Sequence, residues 1–377
     1  MTKTYDWLIV GAGFTGATVA RRLAEERGAR VLVLDQRPHV AGNAFDETDA
    51  HGVRVHRYGP HAFHTNSERI WRFLSRFTAW HPYEHRVRAE VEGQLVPVPF
   101  NFTALAACFG ADAPRLERAL LDAYPGQVHV PILKMLEHAN ADVRRVARYA
   151  FDHVFDGYTR KQWALAPHDL DPSVTARVPV RLSRDDRYFL DTYQATPKDG
   201  FAALFDRMLD HPGIEVRLGC ALGDLGSGDR WARMLYTGPI DAYFGYAEGP
   251  LPYRSLRFEP MYQDGPLVQP VAQLNYPNAH AYTRLTEFGH MTGQVGAPGT
   301  TRFAEVPMAH VPGQTEPYYP VPRPENRAHF DRYARLAAKE APRVLFAGRL
   351  ADYQYYNMDQ AVGRALAVFD KEISGGT

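Results

Sequence analysis

The sequence predicts a mixed α/β protein, and three observations predict it. "YDWLIVGAGFTGATVARRLAEERGARVLVLD", ending at Asp35, runs as apolar strand, glycine turn, one-faced helix and second apolar strand. "RVLFAGRLADYQYYNMDQAVGRALAVF" (343–369) repeats strand, glycine turn and helix near the C-terminus. Between them lie a hairpin-like alternation and a long helical stretch, so strands and helices are mixed along the chain. At 377 residues, 45% apolar and 23% charged, the chain can bury a sizeable core.

Leu8, Ile9 and Val10 form the first short buried strand, Gly11, Gly13 and Gly16 the turn, and Val19, Ala20 and Leu23 one helical face. The second strand runs from Val31 to Leu34 and ends at Asp35. This G-x-G-x-x-G sits between strand and helix with an acid about 20 residues on, which makes it a Rossmann-like dinucleotide fingerprint. The glycines let the backbone approach a pyrophosphate, the helix N-terminus offers free N–H groups, and Asp35 can accept from ribose hydroxyls.

Residues 36–66 are rich in Gly, His and Asn and read as a loop lining a site. A helix follows at 67–77, then a hairpin turning at Glu92-Gly93 within 85–101. Residues 105–165 are mostly helical, and an Arg-rich connection fills 177–200. Helical period returns in "GFAALFDRMLDH", followed by the strand-like runs "IEVRLGCAL" and "RMLYTG". In the C-terminal unit, Gly348 and Arg349 can add N–H groups and a guanidinium to the same pyrophosphate. No second G-x-G-x-x-G exists for a separate nicotinamide nucleotide.

Lys plus Arg balance Asp plus Glu at 43 each, so no global field draws nucleic acid or an anionic membrane. Only Cys108 and Cys220 are present, which argues against a disulfide framework or a zinc site. No metal is expected. The N-terminus runs straight into a strand without a signal-peptide pattern, and no window approaches the run of about 20 apolar residues that a spanning helix needs. The expectation is a cytoplasmic protein.

"ARVPVRLSRDDRYF" (176–189) concentrates Arg177, Arg181, Arg184 and Arg187. A planar guanidinium fork suits a diphosphate, and it also suits a solvated surface.

"GNAFD" (42–46), "VHRYGPHAFHTN" (55–66), "VPVPFN" (96–101), "YTRKQW" (158–163), "DDRYF" (185–189), "YTGPID" (236–241), "YTRLTE" (282–287), "EPYYPVPRPEN" (316–326) and "GRLADYQYYNMDQ" (348–360) form an ordered set over nearly the whole chain. In that set the sequence resembles the UDP-galactopyranose mutases, FAD-dependent enzymes that interconvert pyranose and furanose forms of UDP-galactose. The resemblance implies three parts. They are a discontinuous FAD-binding domain (1–80 with 205–240 and 335–377), a helical substrate domain (104–165) and a six-stranded antiparallel sheet domain (81–103 with 166–204 and 241–334). It implies FAD, active when reduced, whose N5 attacks the anomeric carbon, displaces UDP and holds the opened sugar as an iminium until the ring recloses. Further implied partners are a UDP-sugar, an external reductant such as NAD(P)H or a reductase, and a second copy of the chain in a homodimer or higher homo-oligomer.

By the same resemblance Arg177 and Arg284 clamp the diphosphate, with Tyr188, Tyr319 and Tyr355 donating hydroxyls and Asn357 beside them. Tyr158 matches the residue that stacks on uracil, Trp163 the lid tryptophan and His85 a sugar neighbour. His61 and His64 match the loop beside the isoalloxazine. Gly42, Asn43 and Met358 join the glycines, Asp35 and Arg349 as cofactor-binding positions. Arg181, Arg184 and Arg187 are expected to be structural or solvated. The chain departs from familiar members at Asp35 (Glu), Ala41 (Gly), Ala164 (Gly), Ala195 (Gly) and Gly289 (Lys), which bears on the preferred sugar and nucleotide. Three other readings stay open: the same chemistry on another nucleotide hexose, such as an acetamido or deoxy sugar; a flavin oxidase of amine-oxidase type; and a nucleotide-sugar binder without flavin.

Overall fold

β1 (Lys3–Val10), α1 (Phe14–Arg27) and β2 (Val31–Asp35) open a computed structural model that describes residues 3–171 and 179–374. β2 is buried at all five positions, which is why it reads as an unbroken apolar run and not as an alternation. It belongs to a five-stranded parallel sheet in the order Ile214–Leu218, β2, β1, Asp229–Tyr236, Val344–Phe346. One face is covered by α1 and the helices Phe201–Leu209 and Met358–Val368, whose Ala17, Phe201, Phe205, Val362 and Leu366 share one core.

The helix Phe201–Leu209 has no side-chain cap of its own. Asp46, remote in sequence, accepts from the N–H groups of Phe201 (2.9 Å) and Ala202 (2.7 Å). Gly200, at φ 94°, lies so close that a Cβ there would come within 2.4 Å of Asp46 Oδ2, so only glycine lets the carboxylate reach the helix end.

The hairpin forms as expected: Val87–Val91 pairs with Gln94–Val98, and Glu92 and Gly93 both take positive φ in a two-residue turn. The helical stretch resolves into Phe102–Phe109, Ala113–Ala123, Ile132–Leu136, Ala141–Ala150 and Gly157–Trp163, with a π-helical turn at Phe151–Asp156. These helices do not build a core alone. Leu116, Leu120, Val143 and Val146 pack with Val87, Ala89, Val96 and Val98 of the hairpin.

The hairpin ends a sheet in the order Tyr319–Pro320, Tyr253–Asp264, Gly299–Ala309, Arg284–Glu287, Gln273–Asn275, Val87–Val91, Gln94–Val98. It has seven strands where six were expected, because Tyr319–Pro320 adds a two-residue edge. Its pairs are antiparallel except Gln273–Asn275 with Val87–Val91, which run parallel.

Three other expectations need correction. Residues 36–66 are not all loop: Asp46–Thr48 pairs with Arg54–His56, and Phe63–Thr65 joins Tyr193–Pro197 and Trp80–Pro82 in a small sheet. The domain boundary placed at 205 falls inside Phe201–Leu209, whose apolar residues share the core of the parallel sheet. The boundary placed at 335 falls inside the helix Pro324–Glu340, whose Phe330 and Tyr333 are buried against Ile240, Leu251 and Tyr253. No helix among the described residues is long and apolar enough to cross a membrane.

Candidate functional site

A cavity of about 890 Å³ lies at the C-terminal ends of β1 and β2. Gly11, Gly13, Asp35, Gly42, Asn43, Gly348, Arg349 and Met358 all line it. No side chain caps α1, so its first N–H groups face the cavity region unpartnered by a cap. A Cβ on Gly42 would lie 3.2 Å from Gly13 Cα, tighter than ordinary contact, so glycine at 42 lets the two backbone segments form a trough this close together. Gly16 is different: a Cβ there would meet Gly11 O at 1.9 Å, which places it beneath the trough, where it lets α1 pack on the turn. Asp35 holds the turn itself, accepting from the N–H groups of Ala12 and Arg37 at 2.9 Å each. Arg37, which the motifs did not single out, lies over Tyr58 and donates to Asn43 Oδ1 (2.9 Å) and Glu316 Oε2 (2.8 Å).

A second cavity of about 560 Å³ adjoins the first, and Asn43, His61, Arg349, Asn357 and Met358 line both. His64, His85, Tyr158, Trp163, Tyr188, Arg284, Tyr319 and Tyr355 line the second. These residues come from four places in the fold. The seven-stranded sheet supplies Arg284 and Tyr319, the helix Gly157–Trp163 supplies Tyr158 and Trp163, the strand Phe63–Thr65 of the small sheet supplies His64, and loops supply His85, Tyr188 and Tyr355. Arg177 lies outside the described residues.

Arg284 faces Glu305 across the strand pair, and its Nε and Nη2 reach Glu305 Oε2 at 2.8 and 2.7 Å. Burial opposes the guanidinium charge, and the Glu305 carboxylate outweighs that cost and holds Arg284 firmly protonated. Glu305 is 1% exposed, and its Oε1 has no hydrogen bond. Sequence patterns gave no sign of Glu305. Register alone puts it opposite Arg284, as it puts Asn275 on the other side.

The helix Gly157–Trp163 is fixed from outside. Lys161 Nζ donates to Tyr276 O (2.6 Å) and Ala279 O (2.5 Å), and Arg254 Nε to Gln162 O (2.9 Å). Trp163 is 7% exposed, and Tyr319 and Tyr355 meet edge to face at 4.9 Å beside it. Burial pushes the Tyr158 and Tyr319 phenols up, so both remain O–H donors. Tyr188 is pinned by its own backbone, which donates to His85 O at 2.6 Å and accepts from Arg181 Nη2 at 3.2 Å.

His61 and His85 are neutral groups here. Burial pushes His61 and His85 down to about 3. His61 Nδ1 faces Gly59 O at 2.8 Å, its backbone N–H donates to His56 Nδ1, and His85 Nδ1 faces Tyr83 OH at 2.8 Å. His64 Nδ1 lies 2.9 Å from Asp191 Oδ2.

The remaining arginines of 176–189 turn away from the cavity. Arg181 is 2% exposed and donates to the carbonyls of Asp185, Arg187 and Tyr188. Arg184 pairs with Glu117, and Arg187 with Asp185 and Glu84. Among the positions of departure, Ala41 lines the first cavity, while Ala164, Ala195 and Gly289 line neither. Gly289 is covered by Leu267, which a Cβ there would meet at 2.5 Å. No group of three His, Cys, Asp or Glu among the described residues is arranged to hold a metal.

Comparison with known proteins bears on what this pair of cavities holds. Residues 153–355 match the family model described as UDP-galactopyranose mutase, and residues 9–77 match an NAD(P)-binding Rossmann-like domain. The chain is 33% identical over 366 residues to the dTDP-fucopyranose mutase of Escherichia coli, covering 95% of this chain and 96% of that one. It is 34% identical over 371 residues to a probable UDP-galactopyranose mutase of Klebsiella pneumoniae, covering 97% and 94%. In fold it is similar to the crystal structure of a reduced UDP-galactopyranose mutase, with a TM-score of 0.76 at 16% identity over 99% of this chain and 96% of that one.

Proposed function

The chain belongs to the UDP-galactopyranose mutase family, and from that membership we propose that it interconverts the pyranose and furanose forms of a nucleotide sugar, with UDP-galactose as the default substrate and reduced FAD as the cofactor. One observation carries the reading: a glycine-lined cavity of dinucleotide type opens into a second cavity that contains a firmly charged Arg284 ringed by tyrosines. FAD fits the first cavity on chemistry. Its trough is free of Cβ atoms at Gly13 and Gly42, and the end of α1 and Arg349 supply donors for a pyrophosphate.

Bound and reduced, the flavin supplies the nucleophile for the anomeric carbon of the sugar. The protein supplies binding and charge. Arg284, with Arg177 as the expected second clamp, holds the diphosphate, and its field stabilises the negative charge that grows there as the glycosidic C–O bond breaks. Tyr188, Tyr319 and Tyr355 offer hydroxyls to the same oxygens, and Tyr158 offers a ring face to the nucleobase. Trp163 excludes water from the sugar. His61 and His85, being neutral, contribute hydrogen bonds and leave the cationic work to the arginines.

A relative acting on a dTDP-deoxyhexose matches as well as one named for UDP-galactose, so the same chemistry on a deoxyhexose is the second reading. The test is anaerobic incubation of dithionite-reduced protein with UDP-, GDP- and dTDP-hexoses, followed by chromatography for furanose products. Turnover of a UDP-hexose without stoichiometric consumption of reductant supports the proposal. Equal turnover by oxidised protein rules out the flavin as nucleophile, and a protein that never takes up FAD rules out the cofactor.

A further inference from the structure

The second cavity contains a histidine whose environment is built more elaborately than binding by shape requires. His64 sits in the middle of the strand Phe63–Thr65, and Gln194 of the neighbouring strand pairs with it. Just before that strand, Asp191 turns its carboxylate to the imidazole, with Oδ2 at 2.9 Å from Nδ1. The other carboxylate oxygen accepts from Asn66 Nδ2 at 2.7 Å, and Asn66 Oδ1 accepts in turn from the Thr192 N–H at 2.9 Å. The carboxylate is therefore held from both strands. Phe189 stacks on the imidazole with ring centres 3.6 Å apart and fixes the plane of the ring.

A carboxylate can only accept, so the single ring proton of a neutral imidazole is drawn to Nδ1, and Nε2 keeps its lone pair. Nε2 takes no hydrogen bond from the described residues, and His64 lines the cavity of about 560 Å³. A histidine held the other way round would present a donor there.

We propose that Asp191 is a positioning residue that acts through His64, fixing its tautomer and ring so that Nε2 stands as the hydrogen-bond acceptor for a hydroxyl of the bound sugar. This rests on the reading of the second cavity as the nucleotide-sugar site. The role is specific: the sugar hydroxyl donates to Nε2 and is thereby aimed, and no bond to carbon is made by the protein.

Two measurements on the FAD-loaded protein test it. Nitrogen-15 labelling of histidine reports the tautomer directly. In the wild type His64 should carry its proton on Nδ1, and a proton on Nε2 of the neutral ring overturns the proposal. The second is a set of Asp191→Asn, His64→Gln and the double variant, assayed in the reduced state with UDP-galactofuranose. Asp191→Asn should lower kcat about tenfold or more with flavin content unchanged, as expected when a carboxylate that sets a histidine tautomer is neutralised. The double variant should be no slower than His64→Gln alone, because the two residues act as one unit. Unchanged turnover in Asp191→Asn, or losses that multiply in the double variant, means that Asp191 does not act through His64. A wild type that converts no nucleotide sugar sinks the proposed function instead, and the labelled spectrum still decides how Asp191 holds His64.

Discussion

Arg181 and Arg284 both lie in strands outside the parallel sheet, yet their guanidiniums do different work. Arg181 spends its donors on three backbone carbonyls and so shapes the turn that carries Tyr188. Arg284 is held from one side by Glu305 and keeps its other face toward the cavity. Removing Arg181 leaves carbonyls unpaired, so Arg181→Ala should lower stability by roughly 1–3 kcal/mol, read as a shift in the denaturant midpoint. Arg284→Lys keeps the charge beside Glu305 and loses the planar fork. Its stability should fall less, while turnover drops at least tenfold and flavin content stays unchanged. Arg184, in an exposed pair with Glu117, should tolerate alanine with no measurable change in either quantity. If Arg184→Ala abolishes turnover while Arg284→Lys is normal, the cationic clamp has been assigned to the wrong residue.

At the scale of an element, the helix Gly157–Trp163 carries two cavity aromatics and stops at Ala164, which takes φ 55° in the left-handed region. A Cβ there costs about 1–2 kcal/mol, and glycine returns part of that gain as unfolded-state entropy. Ala164→Gly should therefore raise stability by about 0.5–1 kcal/mol. Ala164→Val should lower it, since a β-branched residue fits that region worse. Thermal unfolding of the two variants checks the sign of each. The start of the same helix is set by Gly157, where a Cβ would come within 2.6 Å of Pro277 O. Close docking on 276–279, and not helix propensity, keeps Tyr158 at the cavity.

For the whole molecule, buried neutral histidines tie stability to pH. His56, His61 and His85 are pushed down to about 3 by burial, from an ordinary 6.5. The unfolded chain therefore takes up their protons first as pH falls. Their contribution is fully present above about pH 6.5 and is lost towards pH 3, at up to about 1.4 kcal/mol per pH unit for each group. Burial raises Asp46 and Asp241, which offsets part of this loss in the acid range. The urea midpoint of the FAD-loaded protein should decline steadily from pH 6.5 to 4.5. His56→Gln should flatten that decline, and an unchanged slope means that His56 is not held neutral.

The sequence by itself determined the dinucleotide unit, because every part of it is local: an apolar run, glycines at fixed spacing and a helix within 35 residues. It likewise determined the Glu92-Gly93 hairpin, where the turn residues set the register. Ordered motifs named a core set of the cavity residues, among them Gly11, Gly13, His61, His64, His85, Tyr158, Trp163 and Arg284. The helix Pro324–Glu340 escaped periodicity because its fully buried positions are only Asn326, Phe330 and Tyr333 on an otherwise polar surface. The long strands Tyr253–Asp264 and Gly299–Ala309 escaped it because each contains a proline and neither alternates cleanly. Tertiary structure alone decided which charges meet. Glu305 reaches Arg284, Asp191 reaches His64, and Asp46 caps the helix Phe201–Leu209 from about 155 residues away. These pairings depend on strand register and chain packing between distant segments, and no local pattern of residues encodes that.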